Sequence, residues 1–266
     1  MNSVLKQELE EFRAAAIVQG RVISALVLRE TQVRFGKSQF GYLWAIVEPA
    51  AYVIVLSTIF QATGRAPALG SSMHQFFASG ILPFFMYRNI SSLLGQAFKS
   101  NKALLNFPIV KEFDTLVARL LLEVATSLMV MTFVFAFIHW VLGASAPNNF
   151  TVMATALFAL TLFGFGVGTI NAVLTSIFDT WGNIYKLFTM PLFILSGIFY
   201  TLESLPVAVK TALAWNPIIH GVEMFRTGIY VGFRSSALDI NYLLWCGLFT
   251  TIIGLLAERG LRRWRI

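Results

Sequence analysis

Residues 74–98 read HQFFASGILPFFMYRNISSLLGQAF, an apolar run with one cation, Arg88, near its middle. A helix crosses a bilayer in about 20 predominantly apolar residues, and this run is long enough. The apolar run before it contains Glu48. A charge at bilayer depth costs at least roughly 2.5–3.5 kcal/mol even on the forgiving insertion scales, so it ordinarily faces a protein partner or a polar pathway. One charge of each sign on neighbouring spans predicts an intramembrane pair, Glu48 with Arg88, in a polytopic membrane protein whose interior handles something polar. The other reading of the pair is packing alone, since buried ionic groups can serve registry without further function.

Composition points the same way. Of 266 residues, 57% are hydrophobic and 12% charged, and the mean hydropathy is +0.72. Soluble domains carry about 25% charged residues. The net charge of +7 is spread between apolar runs, not gathered on one soluble face, which fits membrane orientation and argues against nucleic acid. Cys246 is the single cysteine, so no intrachain disulfide forms. Lys6, Glu8, Glu10, Glu11 and Arg13 precede any apolar core, a pattern too charged for a secretory signal.

Working outward, Leu5, Leu9, Phe12 and Ala16 recur at helical spacing and predict an amphipathic helix over 5–16. From Ile17 to Leu28 the apolar pattern is interrupted by Arg21 and Ser24, which predicts a helix lying at the cytoplasmic interface. Six spans follow: Tyr42–Thr63, Gln75–Phe98, Leu116–Trp140, Val152–Phe178, Ile184–Leu202 and Leu238–Ala257. Lys6, Arg13, Arg21, Arg29, Arg34 and Lys37 precede the first span. Lys99, Lys102, Lys111, Lys186 and the tail arginines 259, 262, 263 and 265 share that side. The opposite side holds only Arg65, Lys210, Arg226 and Arg234. The positive-inside rule therefore places both termini in the cytoplasm. The expected organisation is a single all-α membrane domain over 1–266. It comprises a cytoplasmic amphipathic segment (1–41), a six-span bundle (42–257) and a basic cytoplasmic tail (258–266).

Residues 203–237 are long and moderately apolar for a loop, yet broken by Pro206 and Pro217. Ser204-Leu205-Pro206 and Trp215-Asn216-Pro217 each read as a helix start, with Asn216 placed to cap and Pro217 at the first helical position. Two short re-entrant helices at the external face, over about 203–230, fit this pattern. A surface loop with two helical turns is the alternative.

Other motifs carry less. Gly36-Lys37-Ser38 resembles the end of a phosphate loop, but Thr31 stands where the first glycine belongs, so no nucleotide is expected on this chain. His220, Glu223 and Arg226 fall on one side of a helix. His74 and His139 are scattered, so hydrogen bonding is expected there, not a metal. Gly164 and Gly168 make a GxxxG step with Gly166 between, favouring close helix packing. Asn149-Phe150-Thr151 matches a glycosylation sequon. Trp44, Glu48 and Tyr52 recur along the first span, and Phe193, Ser196 and Tyr200 along the fifth. Such mixed aromatic and polar stripes suit a path for sugars, whose CH faces pack on rings; helix packing explains them equally. No nucleophile–base or paired-carboxylate constellation supports enzyme chemistry.

At this point the residues carry a resemblance. Arg29-Glu30-Thr31, Arg34-Phe35-Gly36, Gly41-Tyr42-Leu43-Trp44-Ala45 and Glu48-Pro49 resemble the start of an ABC-2-type permease. With Leu82-Pro83-Phe84, Arg88-Asn89, Phe107-Pro108, Ser196-Gly197-Ile198-Phe199, Leu205-Pro206 and Trp215-Asn216-Pro217-Ile218, the chain resembles the permeases that export capsular polysaccharide in Gram-negative bacteria. The resemblance implies an inner-membrane homodimer, a separate cytoplasmic ATPase that carries the ATP and Mg, and a lipid-linked polysaccharide substrate. It also implies a periplasmic polysaccharide co-polymerase or export protein as partner. It places the ATPase contacts in residues 17–35 and 99–113, hence Arg29, Arg34, Leu104, Leu105, Phe107 and Pro108. An ABC-2 exporter of another cargo (O-antigen, teichoic acid or a small hydrophobic compound) is the alternative, followed by an ion-coupled carrier. The chain shows no internal repeat of the kind such carriers carry.

Overall fold

A computed structural model describes the backbone of residues 2–35, 41–107 and 109–265, with the side chains of these except 2–7, 9, 14, 35, 41–42 and 262–265. Gly36-Lys37-Ser38 and Pro108, and the side chains of Leu5, Leu9, Tyr42, Arg262, Arg263 and Arg265, lie outside the described residues. The described residues form helices and no strand. In chain order these are α1 (Asn2–Phe35), α2 (Gly41–Ala62), α3 (Met73–Leu94), α4 (Ala97–Ser100) and α5 (Glu112–Trp140). Then follow α6 (Phe150–Ile177), α7 (Trp181–Leu195), α8 (Val207–Leu213), α9 (Pro217–Ile229) and α10 (Ile240–Arg265).

The stretches read as helical over 5–16 and from Ile17 to Leu28 form one continuous helix, α1. Its interrupting hydroxyls bond within the helix, Ser24 Oγ to the Gly20 carbonyl and Thr31 Oγ1 to the Val27 carbonyl, both at 2.8 Å. Polar residues that satisfy themselves locally do not break a helix. The second expected span stops at Leu94 and resumes as the short α4. The fifth stops at Leu195, because Ser196 caps α7 and Gly197 takes φ +77, a left-handed conformation that favours glycine. Phe193, Ser196 and Tyr200 therefore do not share a helical face.

Among the described residues, four helices are long and apolar enough to cross a membrane: Leu43–Ala62, Glu112–Trp140, Phe150–Ile177 and Ile240–Leu261. Two expected spans, at α3 and α7, are not among them. Helix α7 is only 15 residues long, and α3 carries His74, Gln75, Arg88 and Asn89, which lower its hydropathy. Helix α3 sits against α2, α5, α6, α7 and α9, and is buried at nearly every position from Met73 to Tyr87. Enclosed by protein on its sides, it carries Gln75, Ser79 and Ser91 fully inside. Ser72 caps its start by accepting from the Gln75 amide.

The glycines of α6 allow close helix contacts. A Cβ at Gly164 or Gly168 would meet Ile90 or Leu94 of α3, whereas one at Gly166 would meet Thr250 and, at 2.5 Å, the Thr251 nitrogen of α10. The GxxxG step thus faces α3, and the glycine between faces α10. Asn149 caps α6, its side-chain oxygen accepting from the amides of Thr151 and Val152 at 3.0 and 3.2 Å.

Candidate functional site

Helices α2 and α3 bring Glu48 and Arg88 together. Arg88 Nη2 donates to Glu48 Oε1 at 2.9 Å and to Asn89 Oδ1 at 3.2 Å, and the guanidinium lies 3.9 Å over the Phe85 ring. The pair is not buried: the Glu48 side chain is 55% exposed and that of Arg88 24%. It opens onto a groove of about 630 Å³ walled by α2, α3 and α7. Tyr52, Phe84 and Phe193 give this groove aromatic faces, while Asn89, Ser92, Thr189 and Lys186 give it hydrogen-bonding groups. The Tyr52 ring sits 5.1 Å from Phe85 and 6.0 Å from Phe193, within the range of attractive aromatic pairs. A larger groove, about 740 Å³ between α5 and α6, is mostly apolar, with Thr132, His139 and Thr161 its polar side chains.

The other expected path residues lie elsewhere. Trp44 is exposed and outside the lining of the α2–α3–α7 groove. Ser196 is fully buried, donating to the Leu192 carbonyl and accepting from Asn216 Nδ2 at 3.2 Å. Tyr200 donates to the Ile194 carbonyl at 3.1 Å. Both close the chain reversal after α7, because that reversal takes them out of helical register with Phe193.

The segment after the reversal is tied down by α9. Asn216 caps this helix, accepting from the Ile218 amide at 3.1 Å, and also reaches the Leu195 carbonyl. His220, Glu223 and Arg226 are all buried. His220 Nδ1 accepts from the Asp239 amide at 3.1 Å and Nε2 donates to the Ala214 carbonyl at 2.8 Å, so both ring nitrogens are engaged. Arg226 donates to the carbonyls of Gly197, Tyr200 and Ile198, stacks on Phe76 at 4.4 Å and lies 3.5 Å from Glu223. Glu223 in turn accepts from the Leu202 amide at 3.3 Å.

Of the residues assigned to ATPase contact, Leu104 and Leu105 are half-buried and Phe107 is exposed, in the short helical turn Leu104–Asn106 and just beyond it. Arg29 and Arg34 reach into the protein instead: Arg29 donates to Asn101 and Arg34 to Glu123. This exposes what the sequence reading missed. Glu123 and Asn101 are buried, and Arg119 pairs with Glu30 at 3.1 Å. Arg119 and Glu123 are charges inside the third apolar run, the same signal that singled out Glu48 and Arg88. Beyond the long apolar helices, Lys99 of α4 pairs with Asp179 at 2.8 Å and holds its carboxyl below the usual range.

Residues 21–230, from within α1 through α9, match the family model of the ABC-2 type transporter. The chain belongs to the ABC-2 type transporter family. Among curated relatives of this ABC-2 chain, the polysialic acid transport protein KpsM of Escherichia coli is 34% identical, covering 93% of this chain and 96% of its own length. The capsule polysaccharide export inner-membrane protein BexB of Haemophilus influenzae is 31% identical, with 94% of each chain covered. The O-antigen export system permease protein RfbA of Klebsiella pneumoniae is more distant, at 20% identity over 85% of this chain. The matched stretch of the ABC-2 chain contains the groove, the α1–α5 contacts and the α9 clasp.

Proposed function

We propose that this chain is the membrane permease subunit of an ATP-driven exporter of capsular polysaccharide. The observation that carries this reading is near full-length similarity, in both directions, to the KpsM and BexB proteins. The groove supports it. Aromatic faces at Tyr52, Phe84 and Phe193 suit the CH faces of sugar rings, and Glu48, Arg88, Asn89 and Thr189 suit their hydroxyls.

In this reading the chain lies in the inner membrane as six spans, α3 and α7 joining the four longer apolar helices, with both termini cytoplasmic. Two copies form the conduit, and a separate subunit hydrolyses ATP with Mg²⁺. The turn around Leu104, Leu105 and Phe107, rimmed by Lys99, Lys102 and Lys111, docks that subunit: apolar anchors in a basic rim suit a groove on a partner. Helices α8 and α9 form the re-entrant external segment. The cargo carries a lipid terminus, and a periplasmic partner receives it.

The test is complementation. In an encapsulated bacterium lacking its own permease, the gene should restore surface polymer. Leu105→Cys should crosslink to the co-expressed ATPase. Restored O-antigen without capsule would reassign the cargo, and absence of any crosslink across 99–113 would move the docking surface elsewhere.

A further inference from the structure

Helix α1 is attached to the bundle almost entirely by polar side chains. Among its described residues only Leu26 is a buried apolar one, while Phe12, Ile17, Leu28 and Val33 are exposed. Its polar attachments include Gln19 to Asp114, Arg29 and Glu30 to Asn101, Glu30 to Arg119, and Arg34 to Glu123. The last differs from the rest. Glu123 keeps only 2% of its side chain exposed, whereas Arg34 keeps 31%. Arg34 also lines two cavities: the groove described above and a small polar one of about 50 Å³ reaching Glu123, Thr126 and Ser127. Glu48 and Asn89 line both as well. The two ion pairs, Arg34–Glu123 and Arg88–Glu48, therefore flank two adjoining polar cavities with shared walls, yet belong to four different helices.

We propose that Arg34 is a positioning residue for transport, coupling α1 to the groove wall through Glu123; this rests on the exporter reading above. Removing the cation from a buried, paired carboxylate is strongly destabilising. Moving α1 away would strand Glu123, so α1 and the α5 wall move together or the pair must be exchanged within the groove. The Glu48 carboxylate, half exposed and lining both cavities, is the acceptor available for that exchange. Displacement of α1 is thereby converted into a change of charge pairing beside Arg88, where the cargo would lie. Leu26 and the remaining polar contacts keep α1 attached while this happens.

The test compares R34Q, E123Q, the neutral double variant R34Q/E123Q and the reversed pair R34E/E123R, each co-expressed with the ATPase in the permease-deficient strain. Surface polymer, yield of the purified complex and its ATP hydrolysis in nanodiscs are measured together. The double neutral variant leaves no unpaired buried charge and so folds even where a single variant does not. It should hydrolyse ATP as the wild type does while export falls by about tenfold, a common size for coupling between sites. The reversed pair should recover part of that loss. Wild-type export by R34Q/E123Q overturns the inference, as does a parallel loss of export and complex yield in that variant. A wild-type gene that restores no polymer overturns the exporter reading and this inference with it, whereas a wild type that restores polymer beside an equally active double variant overturns the inference alone.

Discussion

Arg226 Nη1 donates to the Gly197 carbonyl at 2.6 Å, so a side chain of α9 holds the residue at which the chain reverses after α7. The same guanidinium reaches Tyr200 and Ile198 carbonyls and, through Nε, Ser79 Oγ of α3 at 3.3 Å. A reversal has no regular backbone pairing of its own, and buried carbonyls without donors are costly. Five donors in a fixed fork let one arginine satisfy several of them while Glu223 balances its charge.

Replacing Arg226 by Met should therefore destabilise the protein by about 3–5 kcal/mol, since it strands a buried carboxylate. Adding Glu223→Gln should recover part of the loss by removing the unpaired charge. Thermal unfolding of the detergent-purified protein measures both. A wild-type melting temperature for R226M would show that the clasp contributes nothing.

The α6 glycines should separate by partner. Gly166→Ala drives a Cβ onto Thr250 and the Thr251 backbone, which cannot give way, so a loss of about 1–3 kcal/mol is expected. Gly164→Ala meets only the Ile90 side chain, at 3.2 Å, and a backbone oxygen at 3.4 Å, and should cost less. Comparing the two by thermal unfolding decides the matter, and equal losses would contradict the assignment of Gly166 to α10.

For Glu48 and Arg88 the expectation from sequence was a buried pair. Exposure of Glu48 revises the magnitude downward. An ion pair that faces a water-filled groove contributes roughly 0–1 kcal/mol. E48Q and R88Q should leave expression and thermal stability near wild type while lowering surface polymer. If stability collapsed in either, the pair would be structural; if export stayed normal in both, the groove would lose its polar centre.

Glu203 gives a pH prediction outside the spans. Its carboxylate accepts from the Ser236 amide and from Lys210 at 3.0 Å, and these bonds, the amide first, lower its pKa from 4.5 to about 2. A depressed folded-state pKa contributes stability above the unfolded value that is lost as pH falls through the folded one. The tie between residues 203 and 236 should hold fully above pH 4.5 and weaken from there towards about 2. Hydrogen exchange at Ser236, corrected for the intrinsic pH dependence, should show falling protection over that window, and Glu203→Gln should abolish the dependence. Constant protection would refute the tie.

Much of this was readable from residues alone, and for a clear reason. Hydropathy, loop charge and the Asn216-Pro217 start depend on local sequence, so the all-helical character, the α9 cap and the charges at Glu48 and Arg88 were visible without coordinates. The end of α7 was less visible. Residues 184–202 are mainly apolar, and the left-handed Gly197, fixed by Arg226 from another helix, cuts the run.

What tertiary structure alone decided is which polar groups meet. Glu123 and Arg119 lie inside an apolar run and find their partners on α1, about 90 positions away. Ser196 and Tyr200 read as lining until the chain reversal placed them against backbone carbonyls. Sequence determined which residues must avoid lipid, because the cost of a charge in hydrocarbon is a property of the residue. Where each one went instead is a property of the pair, and distance along the chain does not reveal it.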